Sequence, residues 1–152
     1  MKSILSILLA VLGLMACNNR RCGCEPAPQT AEVYLHYTDN LGHDLFDSST
    51  TYTLKDIKIY AKQHGVYTSD YLKNMDDKTQ FLSFIDTNHQ RLLRVFPYTD
   101  NNETISEMLV ELRPGVSDTL KCLLEFNSAG SVFKKAWING VETNNNIITI
   151  KK

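Results

Sequence analysis

The stretch MLVELRPGVSDTLKCLLEF, residues 108–126, decides the fold of this chain. Apolar side chains recur at every second position over residues 108–112 and 120–126, and most of the positions between them are polar or charged. A period of two is typical of a β-strand with one buried face, and a proline–glycine pair is typical of a turn. The stretch therefore predicts two strands separated by a turn. The predicted buried face contains Met108, Val110, Leu112, Leu120, Cys122, Leu124 and Phe126.

Similar alternating runs occur along the rest of the chain from Ala31 onward. They cover residues 33–38, 57–62, 80–86, 91–98, 132–138 and 147–150. The pair Asn139-Gly140 predicts a type I′ hairpin, because both central residues of that turn need positive φ. About seven to nine short strands, with turn signals about every ten residues, predict one all-β domain. We expect an antiparallel β-sandwich that spans residues 31–152.

Two shorter segments have their own local signals. Residues 68–77, with Ser69 in an N-cap position, also fit a helical turn. We interpret this segment as a connection or a short strand. Asn88-His89 lies between two alternating runs and is a candidate hairpin turn.

The first sixteen residues, MKSILSILLAVLGLMA, have the pattern of an export signal. Lys2 supplies a positive charge, and the apolar run that follows is shorter than the about 20 residues that a membrane-spanning helix needs. The run ends in Leu14-Met15-Ala16-Cys17, which resembles the lipobox of bacterial lipoproteins. The resemblance implies that residues 1–16 are removed and that the Cys17 thiol receives a covalent lipid.

Residues 17–30 contain glycine and proline but no periodicity, which predicts a flexible tether between the lipid and the domain. Surface-displayed lipoproteins of some Gram-negative gut commensals carry acidic residues directly after the lipidated cysteine. This chain has Arg20 and Arg21 in that region. The comparison favours an outer-membrane lipoprotein that faces the periplasm, with display on the cell surface as the alternative.

Removal of residues 1–16 leaves 136 of the 152 residues, with 15 basic and 17 acidic side chains and a net charge of −2. That length suits a single domain. The balanced charge lacks the basic excess that is typical of nucleic-acid binding, so we expect no nucleic-acid partner. The expected partners are the membrane, through the lipid anchor, and an envelope protein or a glycan.

Three cysteines remain after lipidation of Cys17. Cys22 and Cys24 are one residue apart and would form a strained ring if they paired with each other. A redox function for these two thiols and a disulfide from either of them to Cys122 both stay open. Because Cys122 lies on the predicted buried face, we expect it to pack as a small apolar side chain.

The loop DNLGHDLFD, residues 39–47, brings several oxygen ligands together. Its candidate ligands for Ca²⁺ are Asp39, Asn40, Asp44 and Asp47. Leu41 and His43 occupy two of the alternate positions at which a calcium loop needs ligands. We therefore favour a turn whose side chains bond to their own backbone, and we expect neither a metal nor another cofactor.

The aromatic residues allow two interpretations. If the strand faces that carry Tyr34, Tyr60 and Tyr98 point outward, these tyrosines form an exposed patch for binding. If both faces of the strands are packed, the tyrosines belong to the core, and this is the interpretation that we favour. We also expect Phe133 and Trp137 to lie in the core.

Three stretches resemble a family of small lipoproteins from gut Gram-negative anaerobes. They are DNLGHDLFDSSTTYTLKDIKIY, SDTLKCLLEFN and KKAWINGV, within residues 33–141. The family has an Asp…Gly-x-Asp-Leu turn after its first strand, a Ser/Ala-Asp-Thr-Leu strand and a final Lys-x-x-Trp-x-Asn-Gly hairpin. The resemblance implies an immunoglobulin-like or transthyretin-like β-sandwich. It implies no activity, and no catalytic residue is assigned from it.

The sequence contains no G-x-S-x-G elbow, P-loop or dinucleotide-binding fingerprint. We therefore expect a non-enzymatic binding or accessory module of the cell envelope. One alternative is a small periplasmic hydrolase, or a thiol-redox protein that uses Cys22 and Cys24. Another alternative is a structural subunit of an envelope complex.

Overall fold

The computed structural model of the protein describes residues 30–47, 52–69, 82–87, 90–99 and 103–152. These residues form ten strands and no helix. The strands are β1 (Val33–Thr38), β2 (Lys58–Gln63), β3 (Val66–Thr68), β4 (Leu82–Thr87), β5 (Gln90–Val95), β6 (Ile105–Arg113), β7 (Val116–Asn127), β8 (Gly130–Ile138), β9 (Val141–Thr143) and β10 (Ile147–Lys151).

The strands form two sheets that enclose one hydrophobic core. The six-stranded sheet has the order β3-β2-β6-β7-β8-β9, and all its neighbours are antiparallel. The four-stranded sheet has the order β10-β1-β5-β4, and only its β1–β10 pair is parallel. The prediction of an all-β sandwich is confirmed. The described strands outnumber the predicted seven to nine because β3 and β9 have three residues each, too few for a visible period.

The β6–β7 hairpin forms as residues 108–126 predict. Met108 pairs with Leu120, and Gly115 in the turn has a φ of 81°. One residue of the predicted buried face, Phe126, is instead 38% exposed, because it lies close to the tip of the β7–β8 hairpin. The buried core contains Val33, Leu35, Tyr37, Phe46, Ile59, Ala61, Leu93, Val95, Met108, Val110, Leu112, Leu120, Cys122, Leu124, Ala136, Ile148 and Ile150, among others.

A β-bulge in β8 separates two aromatic side chains that we expected together in the core. Leu124 pairs with Phe133. Leu123 pairs with Lys135. The step between these two pairs is one residue in β7 but two residues in β8, so one residue of β8 has no partner. A bulge of this kind reverses the alternation of faces beyond it. Phe133 therefore packs against the core, whereas Trp137 lies half-buried on the outer face, and its predicted place in the core is wrong.

The three tyrosines have different environments. Tyr98 packs against the core, as we expected. Tyr34 is half-buried on the outer face of the four-stranded sheet and donates a hydrogen bond to Glu32. Tyr60 is half-buried on the outer face of the six-stranded sheet and donates to Glu111 at 3.0 Å. Core packing is therefore the wrong prediction for Tyr34 and Tyr60, and they do not form one patch because they belong to different sheets.

Several predictions concern parts of the chain outside the described residues, and they stay predictions. They are the export signal at 1–16, lipidation of Cys17, the tether before Thr30, the thiols of Cys22 and Cys24, the segment 68–77 beyond Ser69, and the turn at Asn88-His89. Within the part of the chain that the structure describes, no helix is long and apolar enough to cross a bilayer.

An ion pair between a buried aspartate and a partly exposed lysine connects the two sheets. Asp118 in β7 is 1% exposed, and Lys152, which follows β10, donates to its Oδ1 at 2.6 Å. Asn139 donates to the same oxygen at 2.6 Å, and the Lys152 backbone N–H donates to the Thr38 carbonyl at 2.9 Å. The adjacent Tyr37 stays a neutral phenol, because burial, and then the charge of Asp118, raises its pKa well above the ordinary value. The ion pair therefore holds the end of the four-stranded sheet to the middle of the other sheet.

We expect Lys152→Met to destabilise the protein by about 3 kcal/mol, because it leaves the Asp118 carboxylate buried without a cation. The matched control is Lys151→Met, which removes the exposed neighbouring lysine and should change stability by less than about 0.5 kcal/mol. Urea denaturation of the purified variants measures both values. Equal stability of the two variants would contradict a structural function for the ion pair.

Candidate functional site

One level of the outer face of the six-stranded sheet carries a polar or aromatic side chain from every strand. The register places Tyr67 opposite Lys62, Glu107 opposite Lys121, and Trp137 opposite both Lys121 and Glu142. An ion pair between Lys62 and Glu107 joins β2 to β6 at the same level. We name this set the Trp137 row. In strand order its members are Tyr67, Lys62, Glu107, Lys121, Trp137 and Glu142.

The charges of the row alternate and stabilise one another. Lys62 Nζ lies 2.5 Å from Glu107 Oε2, and Lys121 Nζ lies 3.6 Å from Glu107 Oε1. The hydrogen bond from Lys62 lowers the pKa of Glu107 and raises that of Lys62. Both groups are therefore charged at neutral pH, and the Glu107 carboxylate is an acceptor between two ammonium donors.

The indole of Trp137 is surrounded by charged groups. Lys121 Nζ and Lys135 Nζ lie 5.7 Å and 5.6 Å from the ring centre, within the range of a cation–π interaction. Lys135 also donates to Glu142 at 2.9 Å. This hydrogen bond, and to a smaller extent one with the Trp137 indole, lowers the pKa of Glu142. The surroundings therefore offer an aromatic ring, ammonium donors and carboxylate acceptors within one short stretch of surface.

A groove of about 370 Å³ lies along the row. Its lining includes Tyr67, Glu107, Lys121 and Trp137, together with Thr119 of β7 and Gly140 of the β8–β9 turn. Binding sites for small ligands are concave, with aromatic surface and a few convergent polar groups. The groove has both features and is the candidate functional site.

The β8–β9 turn that borders the groove is held in place by Asn139. Asn139 and Gly140 have φ values of 50° and 84°, which confirms the predicted type I′ turn. The Asn139 side chain accepts from the Thr119 N–H at 2.9 Å and donates to the buried carboxylate of Asp118 at 2.6 Å. The ion pair that joins the two sheets thus also fixes the turn beside Trp137.

The Asp-rich loop at residues 39–47 has the hydrogen bonds that an Asx turn requires. Asp39 Oδ1 accepts from the backbone N–H groups of Leu41 and His43 at 2.8 and 2.9 Å. Its Oδ2 lies 2.9 Å from His43 Nδ1, and this contact lowers the pKa of Asp39. Asn40 and Asp47 are exposed. The Asp39 carboxylate is therefore already engaged by the loop itself.

Asp44 joins the same loop to β5. Its Oδ1 accepts from the Phe46 N–H at 2.8 Å, and its Oδ2 accepts from the Arg91 N–H at 2.6 Å. The buried imidazole of His36 lies 3.6 Å from the same carboxylate. Across the described residues, no group of three or more His, Cys, Asp or Glu side chains is arranged to hold a metal ion. Two of the four candidate calcium ligands, Asp39 and Asp44, thus already accept hydrogen bonds from backbone N–H groups.

Cys122 is a free thiol in the core, as we expected from the alternation of β7. Burial raises its pKa to about 12. A thiol nucleophile must ionise near neutral pH, so Cys122 is unsuited to redox or nucleophilic chemistry. The suggested partners Cys22 and Cys24 lie outside the described residues.

Sequence reasoning missed both Asp118 and the Trp137 row. Asp118 lies at an alternate position of β7 together with Leu120 and Cys122. This alternation was sufficient to place Asp118 on the buried face. The outward position of Lys121 was also visible. The sequence did not show that Trp137 lies beside Lys121, because that placement depends on the bulge in β8.

Comparison of the chain with protein-family models, with curated proteins and with solved structures finds no match.

We expect Cys122 to react with iodoacetamide at least about a hundredfold more slowly in the folded protein than in denaturant, since burial keeps the thiol protonated and inaccessible. Ser117→Cys supplies the control, because position 117 is an exposed site on the same strand and should react quickly. Peptide mapping by mass spectrometry distinguishes these thiols from the other cysteines. Similar rates for Cys122 and the introduced cysteine in the folded protein would show that the core is open.

Proposed function

We propose that this protein is a lipid-anchored, non-enzymatic binding module of the cell envelope, and that it binds an oligosaccharide through the Trp137 row. The export signal and the Leu14-Met15-Ala16-Cys17 lipobox support the anchor and a place on the periplasmic side of the outer membrane. The β-sandwich supplies a rigid sheet face. The observation that carries the proposal is the outward indole of Trp137 among paired charges.

The chemistry of the row suits a sugar. A sugar ring has an apolar face of C–H groups and a rim of hydroxyls, each of which both donates and accepts hydrogen bonds. The Trp137 indole is a flat apolar surface with a polar edge, Lys62 and Lys121 donate, and Glu107 and Glu142 accept. Exposed ion pairs contribute at most about 1 kcal/mol, so hydroxyls can replace these contacts at low cost.

The composition of the row is less suited to other ligands. The centres of protein–protein interfaces are depleted in lysine and glutamate, which dominate here. Nucleic-acid phosphates would be repelled by Glu107 and Glu142. A hydrated, neutral or weakly charged ligand is therefore the best fit to the row itself.

The same carboxylates argue for binding without catalysis. Hydrolysis of a glycosidic bond usually needs one carboxyl that is protonated and acts as general acid. Lys62 lowers the pKa of Glu107 and Lys135 lowers that of Glu142, so both groups are ionised at neutral pH. This supports a module that holds a glycan rather than one that cleaves it.

Trp137 is the single tryptophan of the chain, so its fluorescence reports directly on the proposed site. We expect an oligosaccharide ligand to shift its emission in a saturable manner. By calorimetry, Trp137→Ala should weaken binding at least about tenfold, equal to about 1.4 kcal/mol, because the stacking surface is lost. Tyr34→Ala, which removes a half-buried aromatic side chain from the other sheet, is the control and should bind normally.

Two results would refute oligosaccharide binding through the row. One is the absence of any fluorescence change across a panel of neutral and acidic oligosaccharides. The other is an unchanged affinity in the Trp137→Ala variant after circular dichroism has shown that the variant is folded.

The anchor has a separate test. Cells supplied with an alkyne-tagged fatty acid should label the wild-type protein, whereas Cys17→Ala should be unlabelled, because the thioether forms at that thiol. Cys22→Ala and Cys24→Ala are matched controls from the same segment and should keep the label. Labelling of the Cys17→Ala protein would disprove the proposed lipidation site.

A further inference from the structure

A second pocket, with a volume of about 390 Å³, lies near the β6–β7 turn at one end of the six-stranded sheet. It is lined by Tyr52, Lys55, Asp56, Lys58, Arg113 and Pro114. Lys58 is the first residue of β2, and Arg113 is the last residue of β6. Lys55, Lys58 and Arg113 are all exposed, so a ligand from solution can reach each of them.

The three cations of this pocket differ from the other basic residues of the described chain. Seven of the eleven described lysines and arginines have an acidic side chain of the described residues within 4.0 Å. The remaining four are Lys55, Lys58, Arg113 and Lys151. Three of these four thus line a single pocket. The pocket therefore contains three positive charges, and none of them forms an ion pair with a described carboxylate.

The two nearby carboxylates are held by other donors. Asp56 Oδ2 accepts from the Thr53 hydroxyl at 2.7 Å and from the Thr53 N–H at 3.3 Å. Glu111, which pairs in register with Lys58, accepts from the Tyr60 hydroxyl. Neither carboxylate forms an ion pair with the three cations, so no carboxylate of the described residues neutralises their charge.

The Arg113 side chain is restricted by an aromatic contact. Its guanidinium carbon lies 5.7 Å from the centre of the Tyr52 ring, a cation–π contact that restricts the side chain. A guanidinium presents paired N–H donors that match the two oxygens of a carboxylate or sulfate. Because the side chain is already restricted, less conformational entropy is lost when a ligand binds.

The pocket and the Trp137 row share the same sheet face. Lys58 and Lys62 both project from the outer face of β2, four residues apart, which corresponds to roughly 13 Å along the strand. We propose that the pocket binds the carboxylate or sulfate of an acidic sugar, while another ring of the same oligosaccharide stacks on Trp137. This inference rests on the proposed function and narrows its ligand to an acidic glycan.

An acidic sugar fits the pocket better than the phosphates of a membrane surface. A membrane would require cations that project together from one convex edge. Here the cations line a concave pocket at one end of the sheet whose outer face carries the Trp137 row. Anionic vesicles are nevertheless a necessary comparison, because their phosphates offer similar oxygen acceptors.

The first experiment uses sodium sulfate as the simplest oxyanion. Titration of the ¹⁵N-labelled protein should give saturable NMR shifts at the Arg113 side chain and at the amides of Lys55 and Lys58. Lys151, the remaining exposed lysine without a described acidic partner, is the internal control and should shift little. Equal shifts at Lys151 and in the pocket would overturn the inference, because they would reflect ionic strength alone.

The second experiment compares oligogalacturonides with the same chains after carboxyl reduction, with Trp137 fluorescence as the readout. We expect the acidic form to bind about tenfold more tightly, since charge-assisted hydrogen bonds are stronger than neutral ones. Lys58→Gln and Arg113→Gln should reduce this preference without changing affinity for the neutral form. Lys151→Gln is the matched control and should keep the preference.

The outcomes separate this inference from the proposed function. Equal affinity for the acidic and neutral forms overturns the acidic-sugar pocket and leaves sugar binding by the row intact. The absence of binding by both forms, with no change in Trp137 fluorescence, counts against both proposals. Binding to phosphatidylglycerol vesicles that Lys58→Gln abolishes, without any preference for acidic sugars, assigns the pocket to the membrane and also overturns the inference.

Discussion

The alternation of side chains along β7 is the constraint on which the rest of the structure depends. Leu120, Cys122 and Leu124 point into the core, whereas Thr119 and Lys121 point outward. Because β7 lies in the interior of the six-stranded sheet, its register sets the faces of β6 and β8 as well. A slip of one residue would bury a lysine and expose a leucine, so one pairing is strongly favoured. The composition of the core and that of the outer face are therefore two consequences of the same register.

Asp118 is the costly exception on the buried face of that strand. A carboxylate in the core is unfavourable unless it is paired and hydrogen-bonded. Lys152 supplies the charge, and Asn139 supplies an amide donor that also shapes the turn beside Trp137. The contacts that compensate for the buried charge of Asp118 thus extend from the end of β10 to the edge of the candidate site. A buried polar group here links the stability of the sandwich to the geometry of its outer face.

The outer face combines two kinds of charged surface with different chemical uses. In the Trp137 row, lysines and glutamates neutralise one another and leave an aromatic ring among hydrogen-bonding groups. At the end of the sheet, Lys55, Lys58 and Arg113 have no described acidic partner within ion-pair distance. A ligand with an apolar ring face, hydroxyls and one anionic group would satisfy both surfaces.

The sequence by itself determined the all-β class, the β6–β7 hairpin, the type I′ turn at Asn139-Gly140 and the burial of Cys122. These features depend on short-range signals, namely a period of two and residues that tolerate positive φ. Only the tertiary structure decided that Trp137 faces outward, since the bulge in β8 arises from its pairing with β7. The partnership of Asp118 with Lys152 likewise joins residues 34 positions apart. Neither a bulge nor a contact between strands distant in sequence leaves a local pattern, and for this reason the candidate site emerged from the fold.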